Sequence, residues 1–426
     1  MEQDHGLSRR RMLGLMGMVA VVASCGDDDD TAATDTTAAV TGTGGATTAP
    51  AAGGASSAPS GGGGSLKVGL VVPQSGVYAP LGVDMKNAWD LWLAQHDGLI
   101  GGREVQTVVA DEGEGPDTGV PAVQKLIQQD NVDVLVGIVN SAIALGSKDL
   151  VTESKKLLII ANAGANDITG AQKSPYIWRV SFSNSQTGFA VGQHLATVTD
   201  VAGAVFALAP DYAAGNESVG GFRQAFEAGG GTVVGEAFSP FGTTQDFQPF
   251  LSQVEAASAT ATYAFYSGGE AIAFVKQYAE FGLAGEIPLY GTGFLTEGAV
   301  LEAQGESALG VRTGLHYATS LDNEANKAFV QAYADAYDGA DTTVFAMQTW
   351  DAASVLDKAV TAAGAIDSDS LSAALGALGS IDDSPRGPWT FDNQNPKQNF
   401  YLREVVDEGG TLSNKVLEEL GTFAQP

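Results

Sequence analysis

The chain contains very little cysteine. Cys25 is the only cysteine in 426 residues, so no disulfide can form within the chain and the hydrophobic core alone must hold the fold. Long apolar runs are also lacking. After a short stretch near the N-terminus, no segment reaches the ~18 apolar residues of a membrane-spanning helix. The sequence therefore predicts a domain that is not embedded in a membrane and folds without disulfides.

Basic residues are scarce as well. The sequence has 21 Lys and Arg against 50 Asp and Glu, a formal net charge of −29. Binding to nucleic acid depends on clustered Lys and Arg that neutralise phosphates. The composition therefore argues against nucleic acid as a partner, and against tight docking on anionic lipid.

The sequence has no motif of a common enzyme class. It contains no GxxxxGK[ST] loop, no HExxH pair and no GxSxG elbow. Its four histidines are scattered at positions 5, 96, 194 and 316. The Asp run 27–30 is interpreted as a solvated spacer rather than a calcium site. We therefore predict no catalytic residue, no cofactor and no metal, and no enzymatic function.

The N-terminus has the parts of an export signal. Arg9, Arg10 and Arg11 precede the apolar stretch 12–22, which is too short to span a bilayer. The run then closes on small residues and Cys25, the pattern of a bacterial lipoprotein whose thiol is acylated after cleavage. Residues 1–25 are thus predicted to be a lipoprotein signal, and Cys25 the lipidation site on the outer face of the cytoplasmic membrane. Sec and twin-arginine export both stay open.

Residues 26–65 have the composition of a linker. They are rich in Asp, Gly, Ser, Thr and Ala and lack apolar periodicity, so they cannot bury enough surface to offset the entropy of ordering. About 360 residues remain after position 65. That length exceeds what a single core supports, so two lobes are expected.

The folded region alternates strand-like and helix-like segments. Short apolar runs separated by helical periodicity predict repeated βαβ units and a sheet that is covered on both faces. Two such series follow one another. The first has strands at 68–73, 105–110, 132–139 and 157–161 and helices at 84–96, 118–129 and 142–154; the second has strands at 204–209, 233–238, 262–266 and 287–290 and helices at 186–196, 216–228, 247–257 and 271–281. Helices at 323–337, 344–363 and 368–378 and strands at 389–392 and 399–405 follow.

Several segments, in their order and spacing, resemble a known family. The chain is similar to type I periplasmic solute-binding proteins of the branched-chain amino-acid (Leu/Ile/Val) class, which serve ABC importers. The segments that carry the resemblance are Lys67-Val68-Gly69-Leu70 with Pro73-Gln74-Ser75-Gly76, the Gly98–Arg103 turn, Val134–Gly137 with Asn140-Ser141, Ile177–Val180, Ala209–Tyr212, and Gly387–Trp389 with Phe391-Asp392.

The resemblance implies an α/β architecture of two Rossmann-like lobes with parallel sheets, joined by three crossovers and closing on a ligand. Lobe one would comprise residues 66–180 and 313–384. Lobe two would comprise residues 181–312 and 385–426. In such sheets ligands bind beyond the carboxyl ends of the strands, where helix N-termini direct amide N–H groups inward.

Candidate ligand-binding residues therefore follow the strands. After the first strand, Ser75 and Tyr78 either contact ligand or belong to an ordinary turn. Asn140 and Ser141 follow a later strand. The resemblance implies that Ser141 gives its hydroxyl and amide to a ligand carboxylate, while capping of a helix is the simpler interpretation of the same serine.

Further candidates follow other strands. The resemblance makes the carbonyl of Ala163 an acceptor for an α-ammonium, and Gly164 and Ala165 continue that loop. Ala165 stands where Leu/Ile/Val binders have threonine. In lobe two we expect Tyr212 to close over the ligand, and the pair Ser267 and Gly268 to present backbone to it.

Gly293 and Phe294 mark a departure from the family. Amino-acid-binding members have a glutamate at the position of Gly293, where it pairs with the α-ammonium. Either Glu270 or Glu297 replaces that carboxylate, or the ligand lacks an amino group and is an aromatic, hydroxy or keto acid. Burying an ammonium without a partner in a closed cleft costs several kcal/mol of binding free energy. Phe294 would suit a ligand whose remaining part is apolar or aromatic.

The resulting expectation is a monomeric solute-binding lipoprotein. It would capture a small carboxylate between its lobes and deliver it to the permease of an ABC importer. A ligand-sensing receptor on the same scaffold is the alternative. The two differ in protein partner rather than in the cleft.

Overall fold

The computed structural model describes residues 64–170, 173–198, 200 and 203–426. The predicted export signal, Cys25 and all but the last two residues of the predicted linker lie outside the described residues. Within the described part of the chain, no helix combines the length and hydropathy that a bilayer span requires.

The first lobe starts with alternating strands and helices. Its elements are β1 (Leu66–Val72), α1 (Ala79–Gln95), β2 (Leu99–Ile100), β3 (Arg103–Asp111), α2 (Pro116–Gln128), β4 (Val134–Gly137), α3 (Ser141–Glu153), β5 (Leu157–Ile160) and β6 (Ile177–Arg179). The sheet order is β2-β3-β1-β4-β5-β6, parallel except for β2 with β3. Every residue of β4 and β5 is buried, as expected for a parallel sheet with helices on both faces.

The second lobe repeats this alternation. Its elements are α4 (Asn184–Leu195), β7 (Val205–Pro210), α5 (Ala213–Ala228), β8 (Val233–Ser239), α6 (Gln248–Ala256), β9 (Ala261–Ala264), α7 (Gly268–Glu280), β10 (Leu289–Thr292), α8 (Ala299–Gln304) and β11 (Arg312–Leu315). The strands β8, β7, β9, β10 and β11 lie side by side in this order and are parallel.

The remaining elements belong to both lobes. They are α9 (Glu324–Ala336), α10 (Val344–Ala363), α11 (Ser368–Gly376), β12 (Ser380–Ile381), β13 (Trp389–Asp392), β14 (Asn395–Asp407) and β15 (Leu412–Phe423). Helix α10 packs on α1 and so completes the first lobe. Strand β14 pairs antiparallel with β11, β13 and β15, so the second sheet is mixed rather than purely parallel.

The structure shifts some of the predicted boundaries. Strand β11 pairs with β10 and β14, so residues 313–315 lie in the second sheet, whereas the sequence analysis assigned them to lobe one. Helix α1 begins at Ala79 instead of residue 84, because Pro80 stands in its first turn, where the missing N–H of proline has no cost. The other lobe boundaries stay predictions.

A buried arginine holds the crossovers between the lobes. Arg386, in the third crossover, donates from Nη2 to the carbonyl of Val180 in the first crossover at 2.6 Å. The same guanidinium pairs with Asp351 of α10 at 2.6 Å, and both side chains are 1% exposed. Breaking a buried pair by removing one partner typically costs about 3–5 kcal/mol, so this contact fixes the hinge region.

Candidate ligand-binding cleft

A cavity of about 20 Å³ lies between the lobes, beyond the carboxyl ends of their parallel strands. Loops that follow β1, β4 and β5 line it from the first lobe, and loops that follow β7, β9 and β10 line it from the second. The lining residues are Tyr78, Val139, Ser141, Asn162, Gly164, Phe182, Asn184, Tyr212, Ala214, Phe265, Ser267, Phe294 and Phe345.

Six helices begin at this cavity. The lining includes the residue before α1, α5 and α7 and one of the first two residues of α3, α4 and α10. Amide N–H groups at a helix N-terminus carry a partial positive charge that favours anions. Among the described residues that line the cavity, none is a Lys, Arg or His. The groups in this lining that would favour an anion are therefore backbone dipoles rather than side-chain cations.

Ser141 is the first residue of α3, and the residue before it provides the cap. Asn140 Oδ1 accepts from the amide of Ala142 at 2.8 Å, so Ser141 does not cap the helix. No acceptor among the described residues takes the amide N–H of Ser141. The hydroxyl of Ser141 accepts from Asn184 Nδ2 at 3.2 Å and retains its own proton to donate. The serine thus offers two donors at one end of the cavity.

The backbone that leads to Ser141 has an unusual conformation. Ile138 has a φ of 65°, a left-handed conformation that is strained for a β-branched residue. Two hydrogen bonds maintain it: its amide donates to the carbonyl of Val71 at 2.8 Å, and its carbonyl accepts from Ala163 at 2.9 Å. Backbone strain of this kind concentrates at functional sites, where it positions particular groups.

A buried carboxyl supports the same loop from behind. Glu112 is 0% exposed and accepts from the amides of Val139 at 2.7 Å and Asn140 at 3.0 Å. Burial raises the pKa of Glu112 to about 8, although these two hydrogen bonds act to lower it. At neutral pH the group is therefore mostly protonated, so no full negative charge lies behind Ser141.

Aromatic side chains close the cavity between the lobes. Tyr78 of the first lobe and Tyr212 of the second share a hydrogen bond of 2.8 Å between their hydroxyls. The ring of Phe241 stacks on Tyr212 with 4.2 Å between the centroids. Nearby, Gly268 has a φ of 58°, and a Cβ on it would lie 2.3 Å from the carbonyl oxygen of Val77. Only glycine lets the two lobes approach so closely here.

A second set of polar contacts joins the lobes beside Ser141. Glu217 of α5 accepts from Asn184 Nδ2 at 2.8 Å and from the amide of Asn166 in the first lobe at 2.9 Å. Burial raises the pKa of Glu217, while the Asn184 amide acts to lower it. This carboxyl is outside the lining of the cavity, and its hydrogen bonds join segments of the two lobes.

The structure brings half of the predicted site residues to one place. Those that line the cavity are Tyr78, Ser141, Gly164, Tyr212, Ser267 and Phe294. The other six do not line it: Ser75, Asn140, Ala163, Ala165, Gly268 and Gly293. Whether any of them binds ligand stays a prediction.

The residues that do not line the cavity have other partners. Ser75 is exposed and donates to Asp111 at 2.8 Å. The carbonyl of Ala165 accepts from the buried Arg179 at 2.7 Å. Asn140 caps α3, and the amide of Ala163 is taken by the carbonyl of Ile138.

The position that lacks a glutamate cannot hold one in this structure. A Cβ on Gly293 would lie 2.5 Å from the Leu315 Cβ and 2.7 Å from Arg403 Nη2. Neither of the two carboxylates considered as a replacement reaches the cavity. Glu297 pairs with Arg403 at 2.9 Å and accepts from the amide of Val344, and Glu270 accepts from the amide of Gly242 at 2.8 Å.

Sequence reasoning missed seven lining residues. They are Val139, Asn162, Phe182, Asn184, Ala214, Phe265 and Phe345. Phe182 and Asn184 follow β6, and the rule of searching after each strand would have found them had that segment not been treated only as a crossover. Phe265 and Phe345 look like core residues in the sequence, because they adjoin apolar runs.

A larger groove of about 330 Å³ lies elsewhere, beside the turn between β14 and β15. None of the predicted ligand-binding residues lines it. The smaller cavity is the better candidate, because strand ends and helix N-termini from both lobes converge there.

Comparisons with known proteins identify the family and the fold. Residues 65–411 match the family named Periplasmic binding protein. The chain is 31% identical over 365 residues to a protein named Leu/Ile/Val-binding protein homolog 6 from Brucella melitensis biotype 1, with 84% of this chain and 91% of that protein covered.

Two solved structures are similar over nearly their whole length. One is a solute-binding protein of an ABC transporter from R. palustris in complex with benzoate, at 39% identity and a TM-score of 0.78, covering 84% of this chain and 98% of that one. The other, from Rhodopseudomonas palustris BisB5, is in complex with 3,4-dihydroxybenzoic acid, at 32% identity and a TM-score of 0.78, covering 85% and 99%. The chain therefore belongs to the periplasmic binding protein family, the non-enzymatic solute-binding components of ABC transporters, and has the type I two-lobed fold.

Proposed function

We propose that this chain is an extracytoplasmic solute-binding lipoprotein that captures a small aromatic carboxylate and delivers it to an ABC importer. The observation that carries the proposal is the composition of the cavity lining. It combines anion-favouring helix N-termini and hydroxyl groups with four phenylalanines and two tyrosines. Among the described residues that form it, no side chain other than the tyrosines is an ionisable acid or base.

Ser141 is the proposed contact for the carboxylate. Its amide and hydroxyl both have a hydrogen to donate, and they lie at the N-terminus of a 13-residue helix. Hydrogen bonds to a charged acceptor are worth about 1.5–3 kcal/mol each. Such a group of donors is sufficient to hold an anion without a lysine or arginine.

The proposed position for the ring lies among the phenylalanines. Phe182 and Phe294 are 4.7 Å apart between centroids, and Phe265 and Phe345 are 6.2 Å and 6.0 Å from Phe294. These are distances at which rings pack edge-to-face or offset, and a ligand ring inserted among them would gain the same contacts. Tyr78 and Tyr212 complete the enclosure.

A ligand with an α-ammonium is disfavoured on electrostatic grounds. No Asp or Glu is among the described residues that line the cavity, and helix N-termini repel a cation. Burying an unpaired ammonium costs several kcal/mol. The Leu/Ile/Val name of the Brucella relative makes leucine the competing ligand, so the experiment includes it.

Ligand entry requires the lobes to separate. The cavity of about 20 Å³ is far below the ~300–1,000 Å³ of typical ligand pockets. We propose that the lobes open about the crossovers, that ligand bridges them and shifts the population toward the closed form, and that the permease recognises that form. Lipid attached to Cys25 would keep a monomeric protein near the permease and raise its effective concentration.

Isothermal titration calorimetry on the purified chain tests this function. Benzoate, 3,4-dihydroxybenzoate, lactate and leucine are titrated under identical conditions. The proposal expects at least one of the two aromatic acids to bind more tightly than lactate and leucine. Tight leucine binding without measurable binding of either aromatic acid contradicts it. Labelling with radioactive palmitate in wild-type cells and in a Cys25→Ala strain tests the lipid anchor separately.

A further inference from the structure

The side chain of Asn162 lines the cavity and is held by a residue that does not line it. Asn162 follows β5 and is 5% exposed. Its Nδ2 atom donates to Gln348 Oε1 of α10 at 2.8 Å. Its Oδ1 atom accepts from none of the described residues, and it is not among the fully buried atoms that lack a partner. Asn162 lines the cavity, and Oδ1 is its one polar side-chain atom without a hydrogen-bond partner among the described residues, while Nδ2 retains a second N–H.

Two further side chains, Gln348 and His316, hold the Asn162 amide in its orientation. Gln348 is 0% exposed, and its Nε2 atom lies 2.9 Å from Nε2 of His316, which is also 0% exposed. An amide nitrogen has hydrogens and no free lone pair, so Gln348 is the donor and His316 the acceptor. The imidazole is therefore neutral with its proton on Nδ1. The three side chains form a hydrogen-bond chain with a single direction.

The surroundings of His316 keep it neutral. Burial lowers its pKa well below the ordinary value, and the guanidinium groups of Arg386 and Arg403 lower it further. The ring packs against Phe182 and Phe400 at 5.8 Å and 5.6 Å between centroids. Its Nδ1 atom has no partner among the described residues, so Gln348 is the one group that hydrogen-bonds to this ring.

A buried acceptor in a cavity with six aromatic side chains discriminates between ligands. A ligand that offers a hydroxyl to Asn162 satisfies the acceptor, whereas one that offers only C–H leaves it desolvated and unpaired. Sites built around such a group reject analogues that lack the partner more strongly than apolar pockets reject a change in size. The two similar solved proteins hold acids with and without ring hydroxyls, so the distinction matters for this family.

We infer that Asn162, oriented by Gln348 and His316, is the residue that makes this chain prefer a hydroxylated aromatic carboxylate over the unsubstituted acid. The inference rests on the proposed function, because it specifies the ligand of the same cleft. Asn162 contacts the ligand, and Gln348 and His316 are positioning residues. The preferred ring position is whichever of the three monohydroxybenzoates brings its hydroxyl to Asn162.

The experiment compares affinities for benzoate and the 2-, 3- and 4-hydroxybenzoates by calorimetry. The wild-type chain is expected to bind one hydroxybenzoate at least about tenfold more tightly than benzoate, the fold-change that corresponds to one satisfied acceptor. Asn162→Leu removes the acceptor and should lower the affinity for that hydroxybenzoate at least about tenfold more than the affinity for benzoate.

Gln348→Met tests the positioning role. Methionine has a similar volume, but its thioether is only a weak acceptor and no donor. The asparagine amide is then held less firmly, and the ratio of the affinities for the hydroxybenzoate and for benzoate should fall toward one. Gln304→Met is the matched control, because Gln304 is equally buried at 2% exposed but donates to the carbonyls of Ala271 and Leu295, away from the cavity. The control should keep the full preference.

The outcomes separate the inference from the proposed function. If the wild-type chain binds benzoate as tightly as the hydroxybenzoates, or more tightly, the inference is wrong. The chain would still bind aromatic acids, so the proposed function would stand. An unchanged preference in Asn162→Leu or in Gln348→Met overturns it as well. If no aromatic acid binds, the proposed function fails and the inference falls with it.

Discussion

Tyr78 and Tyr212 meet across the cleft, with 2.8 Å between their hydroxyl oxygens. Tyr78 precedes the first helix of one lobe and Tyr212 precedes a helix of the other. Burial raises the pKa of both hydroxyls, and that of Tyr78 lies well above its ordinary value. Both groups are therefore neutral at physiological pH, and the contact between the lobes is an uncharged hydrogen bond.

The single variants Tyr78→Phe and Tyr212→Phe should both weaken the closed form. Each leaves one buried hydroxyl without its partner, at a cost of about 1–3 kcal/mol. We expect faster ligand dissociation, by about five- to a hundredfold, measured by stopped-flow fluorescence with the tightest-binding aromatic acid. The double variant should be less impaired than either single variant, because no hydroxyl is then left unpaired.

Tyr263→Phe is the control for this comparison. Its hydroxyl shares a hydrogen bond of 2.7 Å with Ser218 inside the second lobe. It should lower the melting temperature and leave ligand dissociation unchanged. Slower dissociation in either cleft variant would show that the tyrosine contact does not stabilise closure.

Ser141→Ala should reduce the affinity for aromatic carboxylates by about tenfold or more, because it removes one hydrogen bond to a charged acceptor. Calorimetry measures the change. Ser147→Ala is the matched variant on the same helix, since Ser147 is 0% exposed and its hydroxyl has no partner among the described residues. An equal loss of affinity in both variants would place the effect in the helix rather than in the hydroxyl.

Gly293→Ala should destabilise the fold. The new Cβ would lie 2.5 Å from the Leu315 Cβ and 2.7 Å from Arg403 Nη2, and overpacking of this kind costs about 1–3 kcal/mol. Urea unfolding measures the loss. Gly220→Ala, in the interior of α5 with no atom within 4 Å of the new Cβ, should instead stabilise by about 0.4–1 kcal/mol. A stable Gly293→Ala protein would remove the steric reason for the missing glutamate.

Glu112 should make the free energy of unfolding depend on pH. Its folded-state pKa of about 8 lies above the ordinary value of 4.5, so between these values the folded state binds more protons than the unfolded state. The stability that Glu112 contributes is fully present below about pH 4.5 and is lost as pH rises through about 8. Glu112→Gln should flatten this slope.

Urea unfolding at intervals from pH 4 to 9 measures that slope. Glu306→Gln, which removes an exposed carboxylate, gives the baseline. If the slopes of the Glu112→Gln and wild-type chains coincide, Glu112 is not the group that titrates.

Much of the framework was predictable because it depends on local pattern. Strands β4 and β5 are apolar throughout, and β1 is apolar from Val68 onward, as expected for the interior strands of a parallel sheet. The search after strand ends found Ser141 and Tyr212 by the same reasoning, whereas Phe294 was singled out where the chain departs from the resembled family. Positions of this kind follow from periodicity and from the direction of the strands.

What sequence reasoning missed depends on contacts between distant segments. Strand β15 (Leu412–Phe423) has mostly exposed or half-buried residues, so it lacks an apolar signature and exists because β14 pairs with it. The φ of 65° at Ile138 contradicts the preference of a β-branched residue, and only tertiary hydrogen bonds impose it. The hydrogen-bond chain from Asn162 to His316 spans 154 positions of sequence, and no local pattern indicates it.

Because no Lys, Arg or His is among the described residues that line the cleft, the protein should respond to salt in a particular way. Dissolved ions screen fixed amide dipoles inside a closed site only poorly. The dissociation rate of a bound anion should therefore be almost the same at low and at high salt concentration. The net charge of −29 acts differently, because it repels anions from a distance until counterions mask it. Added salt should therefore raise the association rate of the anion without raising its dissociation rate. The opposite dependence is expected of proteins that attract anions through surface lysines.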